Sequence, residues 1–116
     1  MQITGVILES CVLAILSAED TYGYEITQSL RKVIDISEST LYPVLRRLQK
    51  DGYLETYDKA HSGRNRRYYK ITDGGKERLV VTWQEWTAYK EKVEALLYIS
   101  ANTSGDITNQ GGKIDE

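Results

Sequence analysis

The chain has 116 residues, 41% hydrophobic and 28% charged, which fits one globular domain with an appended helix and leaves only a modest core. One cysteine and one histidine exclude an intramolecular disulfide and the usual Cys/His zinc cluster. The net charge of -2 conceals three zones: four acids and no base over residues 1–30, twelve Lys/Arg against seven Asp/Glu over 31–78, and three bases against six acids over 79–116.

A first helix is expected from about Thr4 to Ser17. Its run VILESCVLAIL is apolar on more than one stripe, so most of its surface should be covered, partly by a partner subunit. The run is broken by Glu9 and Ser10 and falls short of the roughly 18 residues of a membrane span. It has neither a basic leader nor a cleavage-type end. The expectation is a cytoplasmic protein with no membrane partner. Cys11, inside this run, reads as a small core residue.

AEDT is a polar break in which Asp20 or Thr21 can cap a second helix. There Tyr22, Ile26, Leu30 and Val33 repeat on one face, and Gly23 points to close approach of a neighbouring backbone. VIDIS is short and β-branched, a possible strand stub. Ser37 or Ser39 then caps a third helix. Leu41, Val44, Leu45 and Leu48 form its apolar face, while Tyr42, Arg46, Arg47 and Lys50 project elsewhere. The chain's one proline, Pro43, lies inside that helix, where it removes a backbone donor. Gly52 suits the left-handed position that ends it.

YLETYDKA and RRYYKIT read as two strands joined by a turn on Gly63, a hairpin whose tip and second arm carry Arg64, Arg66, Arg67 and Lys70. Tyr69 and Ile71, on one strand face with Arg67, should belong to the core. Thr72 or Asp73 caps a last helix running to about Tyr98, with Leu79, Trp83, Trp86, Val93 and Leu97 at three- and four-residue spacings. About 39 Å of helix exceeds what a small domain can cover, so a twin helix is the expected neighbour. Residues 99–116, with three glycines and no aromatic, read as a disordered tail.

Two helices, a third with a basic outer side and then a basic hairpin make a mainly α, α+β winged helix-turn-helix. The expected organisation is a DNA-binding domain over 1–72 and a C-terminal dimerisation helix over 73–98. A helix of this kind fits the major groove, and an arginine-bearing hairpin can reach phosphates alongside it. An enzyme is not expected, since there are no paired carboxylates in an apolar setting, no nucleophile elbow and no phosphate loop; the catalytic and metal residues and cofactors are therefore none. The alternative is a winged-helix protein-interaction module without specific DNA binding, against which Arg46, Arg47, Arg64 and Arg66 argue.

LAILSAEDTYGYEI, STLYPVLRRLQKDGYLE, RRYYKIT and the TDGG after it resemble, in this order, the PadR family of bacterial transcriptional regulators, in particular its short subgroup with one C-terminal helix. The resemblance runs from about Gly5 to Leu97. It implies a dimer whose C-terminal helices embrace the partner and repression of a target promoter, with small-molecule release in some members. It implies DNA contacts from Tyr24, from Ser39, Thr40, Tyr42 and Arg46 on the third helix, and from Ser62, Gly63, Arg64 and Arg66 in the wing. The operator would be an inverted repeat on double-stranded DNA with AT-rich half-sites. Trp83, Trp86, Val93 and Leu97 would lie at the homodimer interface. Trp86 stands where multidrug-binding members use a tryptophan to sandwich planar ligands, so it either contacts a small aromatic ligand or packs. Lys90 replaces an acid found one turn on in those members, which points to flat neutral or anionic ligands rather than cationic ones.

Overall fold

The computed structural model describes residues 5–104. The chain runs α1 (Gly5–Ala18), β1 (Thr21–Tyr22), α2 (Gly23–Leu30), α3 (Glu38–Lys50), β2 (Leu54–His61), β3 (Arg64–Ile71) and α4 (Asp73–Ser104). The strands form one antiparallel sheet in the order β1-β3-β2. The chain divides into two units, Met1–Trp83 and Gln84–Glu116.

In the first unit the core is the convergence of three helical stripes on the base of the hairpin. Val12 and Leu13 of α1, Ile26 of α2, and Leu41 and Leu45 of α3 are fully buried. Leu54 and Ile71, paired across the base of β2 and β3, close the same cluster. Side chains of this size each contribute roughly 1.5–3 kcal/mol when taken out of water. The third-helix stripe Leu41, Val44, Leu45 and Leu48 is buried as the spacing predicts.

The expected cap and strand stub fall elsewhere. VIDIS is not a strand. After α2 the amides of Arg31 and Ile34 reach back to the carbonyls of Thr27 and Leu30, and Arg31 Nε donates to the Ile36 carbonyl at 2.8 Å. The segment's polar groups are thus satisfied locally, without a ladder. Val33 falls off the helix face in this turn and is 77% exposed. The short strand is instead Thr21–Tyr22, paired with Tyr69 and Tyr68. Neither Asp20 nor Thr21 caps α2; Tyr22 holds the cap position without a side-chain bond.

Other junctions follow local chemistry. Ser37 caps α3, its Oγ accepting from the Thr40 amide at 3.3 Å. Gly52 ends that helix with φ +83°. Thr72 caps α4: its hydroxyl accepts from the Gly75 amide at 3.0 Å and donates to the Gly52 carbonyl at 2.6 Å. A Cβ on Gly75 would run into the Tyr53 carbonyl and the Ile71 side chain, so the second glycine of TDGG is where the start of α4 meets the hairpin base.

In the second unit α4 continues through Ser104, six residues past the expected end at Tyr98. Leu96, Leu97, Tyr98 and Ile99 carry the helical sequence across that boundary, and Asn102 Nδ2 donates to the Tyr98 carbonyl at 2.9 Å. Residues 99–104 are therefore helix rather than tail. The rest of the expected tail lies outside the described residues. No described helix is long and apolar enough to cross a membrane.

Candidate nucleic-acid interface

The hairpin leaves the core along its own length. Side chains of directly paired residues share a sheet face, and successive residues alternate. One face carries Leu54/Ile71, then Thr56/Tyr69, then Asp58/Arg67, then Ala60/Asn65. It starts in the core and turns polar beyond Tyr69, where the hairpin becomes a free wing. The other face carries Tyr57/Tyr68, Lys59/Arg66 and His61/Arg64, with Tyr22 beside Tyr68.

Between the first of these faces and α3 lies an open cleft of about 540 Å³. Tyr42, Arg46 and Gln49, at i, i+4 and i+7, form its helical wall; Asp58, Asn65, Arg66, Arg67 and Tyr69 form its wing wall. Burial raises the Tyr69 phenol above its ordinary pKa, while Arg67 and Arg46 pull it the other way. Two cations from two elements thus converge on one hydroxyl. Burial, followed by the Glu38 carboxylate, also pushes Tyr42 up, so both phenols remain proton donors at neutral pH.

Tyr42 is held from below. A Cβ on Gly23 would stand 2.6 Å from its hydroxyl. Gly23 is therefore required by a side chain of α3, not by the neighbouring backbone that the sequence suggests. The hydroxyl makes a long bond of 3.4 Å to Glu38. Ser39 and Thr40 are exposed in the first turn of α3, their hydroxyls 3.0 and 3.1 Å from Ser37 Oγ. Tyr24 is half exposed in the first turn of α2. Pro43 sits in the second turn of an unbroken α3 and is exposed, so the carbonyl it deprives of a donor, that of Ser39, is on the solvent side.

At the wing tip Ser62 and Gly63 have φ +54° and +80°. Two positive φ values in a two-residue loop are what a type I′ turn needs to match strand twist. Arg64, next to them, is exposed. Arg66 differs from the other cations. It borders the cleft, yet its guanidinium carbon lies 4.6 Å from the Tyr22 ring centroid on the opposite face, and its Nε is buried without an acceptor among the described residues. Arg47 is also committed: its Nε donates to Glu9 of α1 at 2.5 Å.

Sequence reasoning missed Gln49, Asn65, Arg67 and Asp58 as cleft residues. The available signal was strand alternation: Tyr69 and Ile71 in the core put Arg67 on the same face, one pair further out. Of the expected interface residues on α4, Trp83 is 62% exposed. In the second unit, Trp86 lies 6.4 Å from Tyr89 in a tilted ring contact, Val93 is half-buried and Leu97 is exposed.

Three helices, a two-residue strand and a hairpin that projects a cationic cleft beside the third helix define a winged helix-turn-helix protein. Residues 12–80 match the Transcriptional regulator PadR-like family. The chain belongs to that family, whose members are transcriptional regulators and not enzymes. It is 33% identical over 90 residues to the transcriptional regulator Rv3488 of Mycobacterium tuberculosis, covering 77% of this chain and 81% of that protein. Among solved structures, smu.1704 of Streptococcus mutans UA159 superposes with TM-score 0.80 at 42% identity, covering 84% of this chain and 92% of the other. The PadR-like transcriptional regulator BC4206 of Bacillus cereus has TM-score 0.73, also at 42% identity, over 78% and 91%.

Proposed function

We propose that this regulator is a cytoplasmic homodimer that binds an inverted-repeat operator on double-stranded DNA and represses the promoter it covers. The observation that carries the reading is the cationic cleft between α3 and the wing on a chain of net charge -2. A concentrated basic surface on an acidic protein fits a polyanion that is met locally. In this reading residues 1–72 bind DNA. Ser39, Thr40, Tyr42 and Arg46 enter or border the major groove, Ser62, Gly63, Arg64 and Arg66 follow the wing to the backbone, and Tyr24 meets a flanking phosphate.

Dimerisation through α4, with Trp83, Trp86, Val93 and Leu97 in the seam, is supported by the apolar side chains that this helix exposes. Leu96, Leu97, Tyr98 and Ile99 are each more than 60% exposed, an apolar run that a twin helix would cover. Trp86, with Tyr89 beside it, is the residue through which a flat aromatic ligand would change the dimer and release DNA.

The deciding experiment is selection of bound sequences from a random duplex pool, with sedimentation of the same preparation. The expected results are inverted repeats and a particle of twice 13.2 kDa. Recovery of unrepeated sites by a monomer would overturn the dimeric operator reading. Dye quenching lost in Trp86→Ala, with the dimer intact, would establish the ligand slot.

A further inference from the structure

Asp58 is the one carboxylate among the residues that line the cleft, alongside Arg46, Arg66 and Arg67. It is exposed and stands directly opposite Arg67 in the β2–β3 register. Directly paired residues on one face have Cβ atoms about 4.5–5.5 Å apart, within reach of a carboxylate and a guanidinium. Arg67 is also the wing cation placed on the α3 side. Arg66 lies over Tyr22 on the other face, and on α3 itself Arg47 is held by Glu9.

We propose that Asp58 is an affinity-limiting residue that competes with DNA backbone phosphate for Arg67. In the free protein the carboxylate lowers the positive potential of the cleft and holds the guanidinium toward the wing. When a duplex docks, a phosphate must take Arg67 from Asp58 and sit near the displaced carboxylate. Binding is weakened on every sequence alike, because phosphate carries no base information. The weakening matters most for random DNA, where backbone contacts supply nearly all the affinity. Asp58 thus widens the gap between operator and random duplex.

A carboxylate can also accept from the cytosine amino group in the major groove. Asp58 is instead assigned to the backbone because it lies in the wing, across the cleft from α3, opposite an arginine rather than on the helix that enters a groove.

The proposal rests on the DNA-binding reading, and the experiment separates the two. Wild type, Asp58→Asn, Arg67→Ala and the double variant are titrated with a labelled random duplex and with a selected operator over a series of salt concentrations. If wild type shows no salt-dependent duplex binding, the DNA-binding reading fails and this inference with it. Given wild-type binding, D58N should tighten the random duplex by roughly fivefold at low salt, the scale of one exposed charge pair. Its salt slope should steepen by about one counterion. The gain should vanish in the R67A background, and the selected base preference should not change. Unchanged affinity in D58N would overturn the proposal, and so would weaker binding with altered preference at a C·G pair. A gain that persists in the R67A background would also overturn it, since Asp58 would then act without Arg67.

Discussion

The two faces of the wing hairpin are made from alternating residues of the same two strands, and both are rich in tyrosine and cations. On one face Tyr68 is stacked between Tyr57 and Tyr22, at 5.6 and 5.5 Å, with Lys59 over its ring and Arg66 over that of Tyr22. The cations there serve the packing of the sheet. On the other face Arg67 stands at the edge of an open cleft with Arg46 opposite. Adjacent arginines, Arg66 and Arg67, therefore have different occupations, and strand register decides which is which.

That contrast can be tested by a double dissociation. Tyr68→Ala removes a nearly buried ring from the aromatic face and should lower stability by about 3 kcal/mol. The DNA affinity of the folded fraction should remain within about twofold of wild type, a change of less than 0.5 kcal/mol. Arg67→Ala should do the reverse: affinity falls roughly tenfold at low salt and the slope becomes shallower by about one counterion, while thermal stability barely changes. Equal effects of the two substitutions on both readouts would remove the distinction between the faces.

A smaller effect is expected at the floor of the cleft. Gly23→Ala gains about 1 kcal/mol of helix propensity and drives a methyl into the Tyr42 hydroxyl, a side-chain end that can swing away. Stability should change by less than about 1 kcal/mol. DNA affinity should fall by several-fold, because Tyr42 loses its seat beside Arg46. If calorimetry instead shows a large loss of stability, α2 and α3 are too rigid for Tyr42 to move.

The smallest effect belongs to the outer face. The Tyr57 hydroxyl donates to Asp20 at 2.7 Å, and this bond, with the Asp20 charge behind it, pushes the Tyr57 pKa up to about 12. The folded state thus holds this proton more tightly than the unfolded chain, where a tyrosine titrates near 10. Its contribution to stability is complete below about pH 10 and is lost as the pH rises toward 12. Urea midpoints of wild type and Tyr57→Phe should differ slightly at neutral pH and converge by about pH 12.

The α3 stripe could be read from the sequence because a 3.6-residue period survives any tertiary context. Its Ser37 cap, the Gly52 stop and the wing turn could also be read, since each depends on neighbours within four residues. The short strand could not. A two-residue strand such as Thr21–Tyr22 is defined by its partner on β3, whereas β-branched VIDIS has the propensity and no partner. Gly23 showed that something comes close but not what, because Tyr42 is distant in sequence. The cationic character of the interface was visible in the charge zones. The division of labour among its arginines was not, since Arg47 is taken by a residue 38 positions away and Arg66 by a ring on another strand.

The Glu9–Arg47 bridge ties α1 to the recognition helix by a bond that is half exposed on the arginine side. Such a pair is an exchange reaction waiting for a second bidder. Any anion that draws Arg47 away, a phosphate included, releases a carboxylate on α1; any cation that engages Glu9 releases a guanidinium on α3. Thermodynamic reciprocity makes the two events mutually promoting by the same factor. A contact made at α1 is thereby felt at the surface of α3 with no change of fold, through the reassignment of one proton-rich side chain.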